Sequence, residues 1–189
     1  MNIKILSFNE EKLINAMIYF IKNTKYCYTI KLFKLLNFLD FEHYRQTGRG
    51  VTGLEYKALD MGPVPIDLHE RIKQKDSKIT DKINIKENTS DIDKVDSREF
   101  IIKNKVKFND EYFSKREMEI LETLSYIFKN TPSEDISNFS HIKNSPWERI
   151  YKKGEGKNQS IPYELALDNI IIKTMPTIES EELKYRNEL

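Results

Sequence analysis

Apolar residues in the first quarter of the chain recur at three- and four-residue steps, the spacing of one face of an α-helix. Ser7 and Glu10 have the spacing of a capping box, and the apolar series behind them predicts a first helix near residues 9–23. In the next segment, residues 28–46, apolar side chains fall on nearly all sides of any helix. Such a helix must be largely buried.

Short extended segments follow these two helices. The glycines within 48–53 interrupt the helical pattern, and residues 54–58 alternate between apolar and polar, which predicts a short extended stretch. Gly62, together with Pro63 and Pro65, predicts a bend before a further short helix. This part of the chain therefore adds a small extended element to a helical framework.

A second pair of alternating segments lies in the middle of the chain. Residues 83–85 and 106–108 place apolar side chains at every second position, whereas residues 86–99 are nearly all charged or small and polar. The pattern predicts two short strands that flank a mobile loop.

Helical signals return in the second half of the chain. Ser114 and Glu117 again have capping-box spacing and precede an apolar stripe, which predicts an amphipathic helix. Residues 131–141 predict another short helix, with Ile136 and Phe139 facing inward.

Two prolines mark the last predicted helices. Ser145 before Pro146 supplies a cap and a favoured first residue, and Pro162 restarts a helix that continues through Ile171. We predict a single domain over residues 1–175 and a flexible acidic tail over 176–189. The fold class is α+β and predominantly α-helical: a compact helical domain with a small two- or three-stranded β element.

Composition narrows the function classes. The 189 residues contain 31 Lys and Arg against 30 Asp and Glu, a net charge of +1, so there is no overall attraction to nucleic acid or to anionic membranes. Cys27 is the only cysteine, which excludes an intramolecular disulfide and a cysteine-rich zinc site. Without a signal-peptide core or a long apolar run, we expect a soluble cytoplasmic protein that does not bind membranes.

Catalytic motifs are absent from the sequence, and three histidines leave few options for imidazole chemistry. Asp40 and His43 stand three residues apart on the second predicted helix and share a face, and His69 could join them after folding. A metal-dependent hydrolase that uses Asp40, His43 and His69 is therefore one alternative. The competing interpretation is a carboxylate that orients a histidine at a helix end, and we expect neither a metal nor a cofactor.

Basic and aromatic residues also interleave around the first helix junction. Cations next to rings that can stack on bases are typical of a nucleic-acid groove, so a phage accessory nucleic-acid-binding protein is a second alternative. A solvated helix face explains the pattern equally well. The residues in this cluster are Lys22, Lys25, Lys31 and Lys34, with Tyr19, Tyr26 and Tyr28.

An ordered series of short motifs between Lys31 and Ile72 resembles the Panacea domain, the SocA-like antitoxin family that includes phage-associated proteins. A weaker block, Ser145-Pro146-Trp147 through Ile161-Pro162-Tyr163, resembles the C-terminal portion of the same family. The positions that carry the resemblance are Lys34, Leu35, Leu36, Asp40, His43, Gly48, Thr52, Gly53, Tyr56, Ala58, Gly62, Pro63, Val64 and Trp147.

The resemblance implies a non-catalytic antitoxin of a bacterial or prophage toxin–antitoxin system that binds its cognate toxin directly. It implies that the adjacent gene encodes this toxin. It also implies a possible link to a cellular protease system. We expect most of the motif positions to be structural first. Tyr56 and the turn at Gly62, Pro63 and Val64 are the candidate partner-binding residues.

Overall fold

A computed structural model describes residues 3–87 and 98–167 of the chain. Helices dominate, and two separate two-stranded antiparallel sheets complete the described part. The helices are α1 Ile3–Asn23, α2 Thr29–Thr47, α3 Ile66–Lys73, α4 Ser77–Thr80, α5 Lys115–Ile127, α6 Ser133–Ser140 and α7 Pro146–Tyr151, and the strands are β1 Tyr56–Leu59, β2 Gly62–Pro65, β3 Ile83–Glu87 and β4 Arg98–Ile102. The predicted class, a mainly helical α+β fold, is confirmed.

Helix α2 is the centre of the molecule. It packs against α1, α5, α6 and strand β2, and twelve of its 19 residues are buried, which confirms the largely buried helix that the sequence predicts. Leu32, Leu35, Leu36 and Leu39 are each 0% exposed. A helix surrounded on nearly every side needs apolar residues on every side, and this is the pattern that the sequence shows.

Helix α1 begins earlier than the capping box predicts. The helix starts at Ile3, so Ser7 lies inside it rather than at its N-cap. Capping-box spacing is a local pattern that does not by itself end a helix, and no Gly or Pro precedes Ser7 to prevent helical conformation. The predicted start at residue 9 was therefore wrong, whereas the end at Asn23 agrees.

The first hairpin contains a strand where the sequence predicted a bend. Strand β2 carries Pro63 opposite Ala58, and the turn lies one step earlier, between Leu59 and Gly62. Proline is tolerated because the backbone N–H and carbonyl of Ala58 bond the segment at 158–159 instead, at 2.9 and 2.8 Å. At a ladder position that makes no hydrogen bond to the partner strand, proline removes no hydrogen bond although it lacks a backbone N–H.

The second hairpin pairs β3 with β4, from Ile83 opposite Ile102 to Glu87 opposite Arg98. Strand β3 agrees with the prediction, but the predicted strand at 106–108 is wrong. Phe108 instead packs edge-on against Tyr19 of α1, with ring centroids 4.9 Å apart. Packing on α1, and not a position in a sheet, therefore explains why this residue is apolar. Most of the predicted mobile loop, residues 88–97, lies outside the described residues.

The C-terminal half follows its local signals. Ser114 and Glu117 form the predicted capping box of α5, and Ser145 caps α7 by accepting from the Glu148 N–H at 3.2 Å. Residues after Pro162 form a 3-10 turn, Tyr163–Ala166, in place of the predicted helix. Residues 168–189, which include the predicted tail at 176–189, lie outside the described part.

Helix α6 carries one clear exception. Ile136 is 0% exposed as expected, but Phe139 is 54% exposed, so the prediction that both face inward is wrong for Phe139. Residues three apart on a helix differ by about 60° around the axis, and α6 has eight residues, so one side chain sits in the core while the other lies at its edge.

Candidate functional site: the hairpin anchor and the apolar groove

Asp40 anchors the loop that leads from α2 into the first hairpin. Its Oδ1 accepts hydrogen bonds from the backbone N–H groups of Val51 and Thr52, both at 2.7 Å. Its Oδ2 accepts from Thr52 Oγ1 at 2.5 Å and from the Tyr56 hydroxyl at 2.7 Å. Burial raises the pKa of the Asp40 carboxyl, and these hydrogen bonds oppose that rise. The carboxylate therefore has a structural role.

His43 holds the other end of the same loop. Its Nδ1 lies 2.6 Å from the Arg49 carbonyl oxygen, which can only accept, so Nδ1 carries the proton. The loop starts at Gly48, which ends α2 in the left-handed conformation at φ 73° and donates its N–H to the Tyr44 carbonyl. Glycine adopts that conformation without the Cβ clash that other residues suffer.

The side chains that the hydrolase alternative assigns to a metal make other contacts in the structure. Asp40 and His43 are engaged with the loop, and His69 packs edge-on against Phe33 at a centroid distance of 5.6 Å. Within residues 3–87 and 98–167, no group of three or more His, Cys, Asp or Glu side chains is placed to hold a metal ion. The structure does not bring Asp40, His43 and His69 together as the hydrolase alternative requires.

Lys34 lies beneath the hairpin in an unusual environment for a cation. The residue is 1% exposed, and its ammonium donates to the Pro63 carbonyl at 3.1 Å. Burial lowers the pKa of Lys34 to about 7. The hairpin residue above it is Gly62, at φ 98°, where a Cβ would lie 2.5 Å from Lys34 Nζ and 2.6 Å from Ser140 Oγ. That space permits glycine alone.

Trp147 fastens the hairpin from the other side. Its Nε1 donates to the Leu59 carbonyl at 2.8 Å, and its ring lies between those of His141 and Tyr151, with centroid distances of 4.0 and 4.5 Å. The Tyr151 hydroxyl in turn donates to Asp60 in the turn at 2.8 Å. Through these contacts Trp147 ties helix α7 to the first hairpin.

Most of the candidate partner-binding residues are covered in this structure. Tyr56 is 1% exposed, Gly62 and Pro63 are also buried, and Val64 is half-buried. The remaining motif positions Leu35, Leu36 and Ala58 are core residues, and Gly53 adopts φ 70° in the loop. The hairpin therefore contributes to the domain chiefly through packing.

The basic and aromatic cluster does not form one surface. Lys22 and Lys25 are exposed, but Lys31 is 0% exposed and donates to the carbonyls of Lys25 and Thr131 at 2.6 and 2.8 Å. With Lys34 also buried, two of its four cations cannot reach a phosphate backbone. The adjacent Cys27 thiol has its pKa raised to about 11 by burial, which keeps it protonated and unreactive.

An apolar groove between α2, α5 and α6 is a feature that the sequence did not predict. Its volume is about 580 Å³. Phe38 stacks on Phe128 with centroids 5.4 Å apart, and Phe139 meets Phe128 edge-on at 5.5 Å, so the three rings line it as a continuous surface. The apolar residues that line the groove are Phe38, Phe41, Ile120, Leu124, Ile127, Phe128, Phe139 and Ile142.

Solvent reaches the side chains at one edge of this groove. Ile127, Phe139 and Ile142 are 56%, 54% and 59% exposed. Polar residues surround the apolar ones, and within this rim Glu42 accepts two hydrogen bonds from Arg45, at 2.9 and 2.6 Å. The rim residues are Glu42, Gln46, Arg116, Glu119 and Thr123. An aromatic centre with a polar rim is the usual anatomy of a protein interface.

Helix periodicity alone could not have identified this groove. Phe139 follows Ile136 at helical spacing, and a helix prediction places both residues in the core. One available signal is Ile142, which lies beyond the end of α6 next to polar residues. Among the described residues, no helix combines the length and apolar character required to cross a bilayer.

Comparisons with known proteins identify the family. The family model described as "Antitoxin SocA-like, Panacea domain" matches residues 32–148, which are 117 of the 189 residues. Searches of curated proteins and of solved structures gave no match. The matched range covers most of α2, both hairpins, α5 and α6, and it confirms the resemblance of the first series of motifs, which ends at Ile72. Ile161-Pro162-Tyr163 of the weaker block lies beyond the matched range. The chain belongs to the SocA-like antitoxin family with a Panacea domain.

Proposed function

We propose that this protein is a cytoplasmic antitoxin that neutralises a cognate protein toxin by direct, stoichiometric binding. The observation that carries the proposal is the apolar groove, which leaves Ile127, Phe139 and Ile142 more than half exposed in a domain of an antitoxin family. Contiguous exposed apolar surface on a small domain is typical of an interaction site.

The composition of the groove supports a protein partner. Aromatic side chains provide most of the binding energy in many interfaces, because they bury a large area with few rotatable bonds. Phe38 and Phe128 are held rigidly by stacking, so they are preorganised to receive an apolar side chain of the toxin. The rim contacts would shield the apolar centre from water, and the mixed charges of the rim would select the partner.

The mechanism is occlusion without catalysis. A toxin segment would insert an aromatic or aliphatic side chain into the apolar groove. The bound toxin would then be held against α5 and α6 and could not reach its substrate. The hairpin contributes by fixing α2, which supplies Phe38 and Phe41 to the groove. Contact of Tyr56, Gly62, Pro63 and Val64 with the toxin stays a prediction, and Val64→Asp, at the half-buried position, tests it.

Co-expression with the product of the neighbouring gene tests the proposed function. We expect that product alone to stop growth, and co-expression of the antitoxin to restore it and yield a complex that elutes together from a sizing column. A harmless neighbour that forms no complex would refute the function.

A double variant, Phe139→Asp with Ile142→Asp, tests the surface. Charges at these positions should abolish rescue and complex formation, because they would be buried without partners. Ile101→Asp is the matched control, since Ile101 is 43% exposed and lies outside the groove. Circular dichroism must show that all variants remain folded. Full rescue by the double variant would place the toxin elsewhere on the antitoxin.

A further inference from the structure

A smaller pocket adjoins the apolar groove, between α2, the end of α6 and the start of α7. Its volume is about 180 Å³, and we call it the inner pocket. Asn37, Ser140 and Trp147, which line it, are all buried, so it lies deeper than the exposed edge of the groove. The residues that line both spaces are Phe38, Phe41, Phe139 and Ile142.

Asn37, on α2, is the exceptional residue of the inner pocket. It is 7% exposed, yet its side-chain amide makes no hydrogen bond within the described part of the chain. By contrast, Asn15 and Asn23 on α1 donate side-chain N–H groups to carbonyls one turn earlier, at 2.9 and 2.8 Å. A buried amide is normally hydrogen-bonded, since burial without a partner is unfavourable. The Asn37 amide therefore lacks the partner that its burial calls for.

The Asn37 amide can be reached from the inner pocket. Among the described residues, the polar side-chain atoms that are fully enclosed and unpartnered are Ser125 Oγ, Ser133 Oγ and His141 Nε2. The amide is not one of them, and Asn37 lines the inner pocket but not the groove. Its N–H donors and its carbonyl oxygen are thus available to a group that enters the pocket.

The other polar side chains of the inner pocket are engaged within the protein. Ser140 Oγ donates to the Ser137 carbonyl at 2.7 Å, and Ser145 Oγ donates to the Ser140 carbonyl at 3.0 Å. Trp147 Nε1 donates to the Leu59 carbonyl, so the tryptophan offers the pocket only its ring. The remaining described residues that line the pocket are apolar, and none of them carries a charge. The inner pocket therefore matches a mainly apolar group with one polar end.

We propose that the inner pocket holds a tyrosine side chain of the toxin, with its ring against Phe41 and Trp147 and its hydroxyl hydrogen-bonded to the Asn37 amide. A cavity of roughly 150 Å³ holds benzene in an engineered protein, so one aromatic ring fits here. Phenylalanine or leucine would enclose the amide without a partner, and a charged side chain would find no counter-ion in the pocket wall. This inference rests on the proposed function, because it names the side chain that anchors the toxin.

Titration of the isotope-labelled wild-type protein with p-cresol and with toluene, followed by NMR chemical shifts, tests the pocket. The two molecules reproduce the side chains of tyrosine and phenylalanine and differ by the hydroxyl. We expect p-cresol to bind about fivefold more tightly, since one hydrogen bond contributes about 1 kcal/mol, and to shift the Asn37 side-chain signals. Equal affinities, tighter binding of toluene, or no binding of p-cresol at about 5 mM would overturn the proposal. Tighter binding of methylindole than of p-cresol would favour tryptophan and overturn the assignment to tyrosine.

Asn37→Leu assigns the preference to this amide. Leucine has a similar size and no polar group, so p-cresol should fall to the affinity of toluene. Asn84→Leu is the matched control, because Asn84 is exposed on β3 and does not line the pocket, so its loss should change neither affinity. An Asn37→Leu protein that still prefers p-cresol would refute the site. If this variant does not fold, the wild-type comparison of the two ligands still decides.

The toxin complex separates a failure of this inference from a failure of the proposed function. We expect Asn37→Leu to weaken binding of the neighbouring gene product about fivefold, measured by calorimetric titration. A complex of unchanged affinity would refute the tyrosine anchor and leave the antitoxin function intact. A harmless neighbour would refute that function, whereas preferential binding of p-cresol would still establish the inner pocket as a site for a phenol side chain.

Discussion

Helix α2 contacts two regions of the molecule that differ in how far their side chains are buried. On the hairpin side, Asp40 and Lys34 are buried and their polar atoms are engaged with the backbone of the loop and of β2. On the groove side, Phe139 and Ile142 remain more than half exposed. On the hairpin side the motif residues are packed within the domain, whereas the exposed apolar residues of the groove lie outside those motifs.

The largest expected effect concerns the Asp40 anchor. Asp40→Ala leaves two backbone N–H groups and two hydroxyls without their acceptor, so we expect a loss of about 3 kcal/mol or more in the free energy of unfolding, measured with urea. Tyr56→Phe removes one of the four bonds and should cost about 1 kcal/mol. Asp67→Ala, at an exposed position of α3, is the control. A neutral Asp40→Ala would show that the hairpin side does not depend on this carboxylate.

The second effect concerns the close approach at Gly62. Gly62→Ala would place a methyl group 2.5 Å from Lys34 Nζ at φ 98°, and we expect a loss of about 2–3 kcal/mol. Gly53→Ala separates the two causes, because Gly53 also has a positive φ of 70° but no atom within 4 Å of the Cβ position. It should lose about 1 kcal/mol by thermal or urea unfolding. Equal losses at both positions would mean that backbone conformation alone matters.

The third effect is a pH dependence. Burial lowers the pKa of Lys34 from 10.5 to about 7, so between these values the unfolded chain binds more protons than the folded one. Stability therefore rises with pH across that range, by up to about 1.4 kcal/mol per pH unit, and the contribution is constant below it.

Lys34→Met should remove this contribution. Urea unfolding of both proteins at about pH 7.5 and 9.5 measures the difference between their slopes. The pKa of the buried Lys31 is also lowered, but Lys31 is present in both proteins and cancels in the difference. Parallel pH profiles would contradict the assignment.

The smallest expected effect concerns stability in the groove. Because Phe139 and Ile142 are largely exposed, Phe139→Ser and Ile142→Ser should each change the free energy of unfolding by only about 0.5 kcal/mol. Thermal melting checks this, with Phe128→Ser, which is 7% exposed, as the contrasting core substitution. A large loss at Phe139 would mean that the groove serves packing as the hairpin does.

Much of the fold could be read from local patterns. The buried helix α2, the capping box of α5, the N-cap of α7 and strand β3 follow from side-chain periodicity and from residues whose preferences act over a few positions. Strands β2 and β4 could not be located in this way. Pro63 is compatible with a strand only because Ala58 bonds a segment a hundred residues away, and local spacing carries no information about that pairing.

The candidate sites were less accessible to sequence reasoning than the fold. Asp40 and His43 share a helix face as predicted, but whether they bind a metal or a loop depends on what the chain between 48 and 54 does. Their actual partners are mainly backbone groups, which every residue possesses and no sequence pattern distinguishes. The groove forms only where α2, α5 and α6 pack together, and it includes Phe139, which lies at the edge of the core on α6.

The sequence by itself determined the helical framework, the central place of α2 and the family, because these rest on periodicity and on motifs in a fixed order. Only the tertiary structure decided that Lys34 is buried without a carboxylate, that Tyr56 and Gly62 are covered, and that Phe139 faces solvent. Burial and charge pairing are properties of side chains brought together from distant positions. They are defined only once the packing of those positions is complete.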